Sequence, residues 1–217
     1  MTRTFRFLFR LQWPILALPV CMTAAAAGGL AFGSPDGLAP LFFPFLPRLF
    51  PFLLLLAGWQ LWLYLDLDLS LGGRRQDFFL TSRALFLAEV LVSWGALAAA
   101  ASFLPAELLP QGLPALTPAD GPGMAAYPLL CLSALCLGSA LGVLARRYPR
   151  AANFLLCFTG VNLILGDFSL LPLVHVLWGS GSGLGWEVAG YLSTFFLLGV
   201  TELISWLRIN TYSVPVR

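Results

Sequence analysis

Apolar runs alternate with short polar or proline-rich breaks along the whole chain. An α-helix of about 20 apolar residues is long enough to cross the hydrocarbon core of a bilayer, and runs near this length recur. The pattern predicts six transmembrane helices, at residues 13–32, 49–67, 84–104, 127–145, 153–171 and 186–207. The sequence therefore predicts an all-α polytopic membrane protein.

The composition supports the same fold class. Of the 217 residues, 59% are hydrophobic and only 10% are charged, which is too little charge to cover the surface of a soluble domain. No polar segment is long enough to fold separately, so residues 1–217 are expected to form one transmembrane domain.

The arginines predict the orientation of the helices. If six helices cross in turn, eleven of the twelve arginines fall on one side, and only Arg48 falls on the other. The positive-inside rule makes the arginine-rich side cytoplasmic and places both termini there. At the N-terminus, basic residues before an apolar stretch and "TAAAAGG" are also compatible with a cleaved signal peptide, an alternative that orientation does not resolve.

Two segments on the outer side are unusual. Residues 105–123 contain five prolines and are predicted to form an extended loop. Residues 172–185, "PLVHVLWGSGSGLG", begin apolar but are too short to span, so they are expected to form a re-entrant segment before the last helix. Asp167 and His175 flank its start and are candidates for an ion pair, a substrate contact or an ordinary interfacial hydrogen bond.

Glu89 and Glu202 each lie about six residues inside a predicted membrane span. A carboxyl group at that depth is costly, so each should face the protein interior or a cavity. They would either line a substrate path or join helices through a hydrogen bond to Gln12, Gln60 or an arginine.

The residue types argue against several kinds of site. No phosphate-binding G-K-[ST] loop is present, so the chain is not expected to hydrolyse ATP alone. With a single histidine and no C-x-x-C pair, neither a metal site nor a disulfide framework is predicted, and the four cysteines are expected to be free thiols. Twelve arginines against ten acids are too weak a basic excess for nucleic-acid binding.

Two stretches nevertheless carry a family resemblance. "LSLGGRRQDFFLTSRALF", which begins at Leu69, resembles the cytoplasmic segment of ABC transporter permeases of the ABC-2 class. "LGSALGVLARRYPRAANFLL", which begins at Leu137, is similar to the end of span four in the same family, and the layout of six spans also fits it. One departure is the short N-terminus, where only about residues 2–12 are available for the interface helix that the family often has before span one.

The resemblance implies an exporter subunit in the inner (plasma) membrane of a bacterial cell. Two permease subunits, as a homo- or heterodimer, would act with separate ATPase subunits that bind ATP, and the chain would need no cofactor of its own. An amphipathic coupling helix at residues 73–83 would dock on the ATPase. Its docking residues would be Gly72, Arg74, Arg75, Asp77, Phe78 and Phe79.

The same resemblance gives Gly138 and Gly142 a packing role. They form a small-x-x-x-small pair that would let span four approach a neighbouring helix closely. The apolar faces of the spans favour an amphipathic or lipid-like substrate. Two other classes remain open: a membrane enzyme acting on lipids or polyprenyl carriers, which would use inner acids such as Asp66 and Asp68, and a non-catalytic assembly subunit of a membrane complex.

Overall fold

The computed structural model describes residues 2–33, 42–104, 125–165 and 184–211, and these described residues are helical apart from short turns and helix ends. A short 3-10 helix, Phe43–Phe45, leads directly into the second long helix. The α-helices are α1 (Thr2–Phe32), α2 (Leu46–Ser70), α3 (Arg75–Phe103), α4 (Ala126–Ala145), α5 (Pro149–Leu165) and α6 (Leu184–Thr211). The predicted all-α class is confirmed for the described part of the chain.

Five segments are long and apolar enough to cross a membrane, which agrees with a polytopic membrane protein. They are Arg3–Phe32, Phe43–Ser70, Arg75–Phe103, Ala126–Ala145 and Gly190–Ile209. The predicted fifth span, residues 153–171, overlaps α5, whose described part has 17 residues and ends at Leu165. The predicted outer loop and re-entrant segment lie almost entirely outside the described residues, as do Asp167 and His175.

The prediction of a separate coupling helix at residues 73–83 is wrong. Gly73 lies in the turn after α2, and residues 75–83 are the first turns of the 29-residue helix α3. Between Arg75 and Trp94 the sequence has neither proline nor glycine, so nothing in it interrupts the helix. α1 likewise begins at Thr2, so residues 2–12 continue into the first span without a break.

Helices α2 and α4 share the most extensive contact between any two elements, and glycines form its centre. A Cβ atom added to Gly138 would collide with the carbonyl oxygen of Leu55, and one added to Gly58 would collide with that of Leu135. At Gly142 an added Cβ would lie 2.9 Å from the carbonyl oxygen of Trp59. The two backbones are therefore in direct contact, as small residues permit in membrane helices.

Polar contacts between the same helices lie beside the glycines. The indole Nε1–H of Trp62 donates a buried hydrogen bond to Ser139 Oγ at 3.0 Å. At the helix ends, Arg146 donates to the carbonyl oxygen of Trp62 at 2.8 Å and forms an ion pair with Asp66 at 3.1 Å. These bonds fix the register of α2 against α4.

The remaining helices enclose an aromatic and aliphatic core against this pair. α1 packs mainly on α3, and α4 also contacts α5 and α6. Phe43, Phe50, Phe78, Phe86 and Tyr127 are among the largest fully buried side chains. Because Phe78 and Phe86 come from the first half of α3, that half is held inside the bundle.

Substitution Gly138→Ala should destabilise the protein, because its Cβ would have to displace the backbone of α2. We expect a loss of about 1–3 kcal/mol, typical of overpacking. Titration with sodium dodecyl sulfate in mixed micelles, followed by tryptophan fluorescence, measures the change. The matched control is Gly95→Ala in α3, where an added Cβ meets no atom within 4 Å. Equal unfolding midpoints for the two variants would contradict the close contact.

Candidate functional site

The turn between α2 and α3 is built by its two glycines. Gly72 has a φ of +86°, a conformation that favours glycine. Its N–H donates to the carbonyl oxygen of Leu69 at 3.0 Å, and the N–H of Gly73 donates to that of Asp68 at 2.8 Å. This pair of bonds is a Schellman motif, which ends α2 with its last carbonyl groups satisfied. The doubled glycine therefore encodes a defined turn.

Arg74 carries the chain from this turn into α3. Its backbone is extended (φ −98°, ψ 139°), and α3 begins at the next residue. The side chains of Leu71, Arg74 and Gln76 are exposed, whereas Arg75 and Asp77 are half-buried. We call Leu71, Gly72, Arg74 and Gln76 the turn surface.

The paired phenylalanines do not lie on the turn surface. Phe78 is fully buried in the core, so it is not exposed for docking as the resemblance implied. Phe79 is half-buried, and its ring contacts Trp206 of α6 edge-on with 5.1 Å between ring centroids. Both rings therefore hold the first turns of α3 against the bundle.

A polar cluster joins α3, α4 and α6 one turn further along. Arg83 donates from Nε to Glu202 at 2.6 Å, and the thiol of Cys136 donates to the other carboxylate oxygen at 3.2 Å. The guanidinium lies over the rings of Phe79 and Phe86, at 4.5 and 4.9 Å from their centroids. Its Nη2 atom is buried and has no hydrogen-bond partner among the described residues, so it keeps a donor for a further acceptor.

Glu89 lies in a different environment from Glu202. It is 1% exposed in α3, and neither of its carboxyl oxygens has a hydrogen-bond partner in the described part of the chain. Ser93, one turn further along α3, and Gln12 of α1 also bury an oxygen that is unpaired within those residues. Ser93 lines a cavity of about 120 Å³ between α1, α2 and α3, which Gln60 also lines.

Asp66 and Asp68, the acids near the end of α2, do not form a cluster. Asp66 pairs with Arg146 of α4, whereas Asp68 is buried and accepts a long hydrogen bond of 3.4 Å from Thr4 of α1. Within the described ranges, no group of three or more histidine, cysteine or acidic residues is arranged to hold a metal ion.

The sequence pattern placed Glu202 either on a substrate path or in a hydrogen bond to Gln12, Gln60 or an arginine, and it did not identify Arg83 as that arginine. The two residues are 119 positions apart, and neither spacing nor composition relates them. The sequence pattern did not identify Cys136 and Trp206 as contacts of this cluster either; Cys136 was expected only to be a free thiol. Gly58 was overlooked, although its place opposite a small-x-x-x-small pair is what close helix contact requires.

Breaking the Arg83–Glu202 pair should destabilise the bundle. We expect Glu202→Gln to cost about 1.5–3 kcal/mol, as is typical for hydrogen bonds to charged groups. The control Asp66→Asn removes the more exposed ion pair with Arg146 and should cost only about 0–1 kcal/mol. Detergent titration of Glu202→Gln, Arg83→Gln and the double variant Arg83→Gln/Glu202→Gln measures the coupling energy between the two residues. The same titration of Asp66→Asn gives the control. If the losses of unfolding free energy in the two single variants add up to the loss in the double variant, the interaction between Arg83 and Glu202 contributes nothing to stability.

Replacement of Glu89 by methionine should leave the fold intact and raise its stability. A buried carboxyl group without a partner carries a desolvation cost of about 1–3 kcal/mol, which an apolar side chain of similar size removes. The same detergent titration measures the gain. Lower stability than wild type would show that Glu89 makes a stabilising bond in the complete protein.

Comparisons of this chain with protein-family models, with curated proteins and with solved structures found no match.

Proposed function

We propose that the chain is the membrane-spanning subunit of an ATP-binding cassette exporter and that a separate ATPase subunit drives it. The observation that carries this proposal is the exposed, conformationally defined turn between α2 and α3. The turn surface presents an apolar side chain, Leu71, next to the cation Arg74 on a backbone fixed by the Schellman motif. Such a surface suits docking of a folded partner, because little conformational entropy is lost on binding.

The helix that follows the turn is suited to transmit a force. α3 runs without a break from Arg75 to Phe103, so displacement of the turn would move the whole helix. Phe78 anchors it in the core, while Phe79 and Arg83 join it to α6 through Trp206 and Glu202. Docking at the turn would thus act on α3 and α6 together.

The rest of the arrangement follows from the same proposal. Both termini and the turn surface would face the cytoplasm of a bacterial cell, and a second permease subunit would complete the pathway. The substrate would be amphipathic or lipid-like. The enzyme alternative gains no support from Asp66 and Asp68, which contact different helices.

The turn surface can be tested by co-purification. Tagged wild-type protein is extracted in mild detergent from the membranes of its native host, and its partners are identified by mass spectrometry. We expect a protein with a phosphate-binding loop, together with ATPase activity in the eluate. Arg74→Glu should lower its recovery about tenfold or more, because a like-charge contact across an interface costs several kcal/mol.

Two controls make this experiment specific. Arg150→Glu reverses an exposed charge in the first turn of α5, next to the other arginine-rich turn, and should retain the ATPase. Phe78 is unsuitable for the test because its loss would disturb the core. If wild type recovers no ATPase, the exporter proposal is wrong. Recovery of a stoichiometric partner without a phosphate-binding loop would in addition favour an assembly subunit.

A further inference from the structure

A cleft of about 590 Å³ lies where α4 and α6 end, next to α2. Its polar rim contains Arg146, Arg147 and Arg208, together with the aromatic ring of Tyr148. Its apolar wall includes Ile204 and Leu207 of α6, and both side chains are exposed.

The three arginines are not equivalent. Arg146 is committed to Asp66 and to the carbonyl oxygen of Trp62. Arg147 contacts only the ring of Tyr148, at 5.4 Å, among the interactions that the structure describes for it. For Arg208, no carboxylate partner occurs within the described ranges. Two cations therefore face the cleft without an opposite charge from these residues.

The position of the cleft identifies the kind of anion that would enter it. α4 and α6 both contain segments long and apolar enough to span a membrane, and the arginines follow or end those segments. They consequently lie at the level where a bilayer changes from hydrocarbon to headgroups. At that depth, the headgroup of a phospholipid supplies an anion, and its acyl chains can contact the apolar wall.

We infer that this cleft binds the phosphate headgroup of an anionic glycerophospholipid through Arg147 and Arg208, with the acyl chains against Ile204 and Leu207. A guanidinium offers several donors to phosphate oxygens, and basic pockets at helix ends are typical of lipid headgroup sites. The site is separate from the turn surface and does not depend on an ATPase partner. It would bind lipid at the joint between α2, α4 and α6.

Native mass spectrometry of the detergent-purified protein tests the site. Phosphatidylglycerol is titrated against phosphatidylcholine with the same acyl chains. Wild type should bind one phosphatidylglycerol about 25-fold more tightly, since each of the two arginines near a headgroup contributes about fivefold. The double variant Arg147→Gln/Arg208→Gln should remove this preference. Arg150→Gln, which removes an exposed charge outside the cleft, should leave the preference unchanged.

Two further arms distinguish a lipid from free phosphate and from a misfolded variant. Inorganic phosphate should compete only weakly, and Leu207→Gln should weaken binding of phosphatidylglycerol without changing that of phosphate. The double arginine variant should keep the wild-type unfolding midpoint and its binding of phosphatidylcholine. The inference would be overturned by equal affinity of wild type for the two lipids, or by phosphate binding as tight as that of lipid. It would also be overturned if Arg150→Gln lost the preference for phosphatidylglycerol as the double variant does.

Discussion

The direct backbone contact between α2 and α4 is the constraint on which the rest of the structure depends. Lipid tails are as apolar as leucine side chains, so burial of apolar surface contributes little to the association of membrane helices. Van der Waals packing between the helices must contribute instead. Gly58 and Gly138 remove the side chains that would keep the two helices apart. Trp62 then bonds Ser139 across the contact, which fixes one register among those that small residues would allow.

This register determines the positions of the turn surface and of the arginine-lined cleft. The end of α2 carries the Schellman turn, so its position relative to the bundle follows from the contact with α4. The end of α4 carries Arg146, whose bonds to Trp62 and Asp66 close the α2 side of the arginine-lined cleft. The turn surface at the end of α2 and the cleft at the end of α4 are therefore both positioned by the contact between these two helices.

The sequence was sufficient for features that depend on local pattern. Apolar run length located α2, α4 and α6 to within about four residues, whereas α1 and α3 begin about ten residues before the spans predicted for them. The doubled glycine marked the turn that Gly72 forms. What the sequence could not provide was the partner of a side chain across the bundle. Arg83 appeared to be one of several cytoplasmic arginines, although it reaches Glu202 of α6. The resemblance made the paired phenylalanines docking residues, whereas packing of α3 against the core buries Phe78.

Two ionisable residues of helix α3, Arg83 and Glu89, lie in contrasting surroundings. Near the start of α3, the guanidinium of Arg83 lies over two aromatic rings and bonds to Glu202. The carboxylate from α6 therefore balances the positive charge of Arg83. Less than two turns later, Glu89 is buried with no comparable bond among the described residues. Burial of this carboxyl group without a bond costs free energy that an apolar side chain of similar size would not cost. If docking displaced α3 as the exporter proposal requires, Glu89 would be available to form a bond in the new arrangement of the helices.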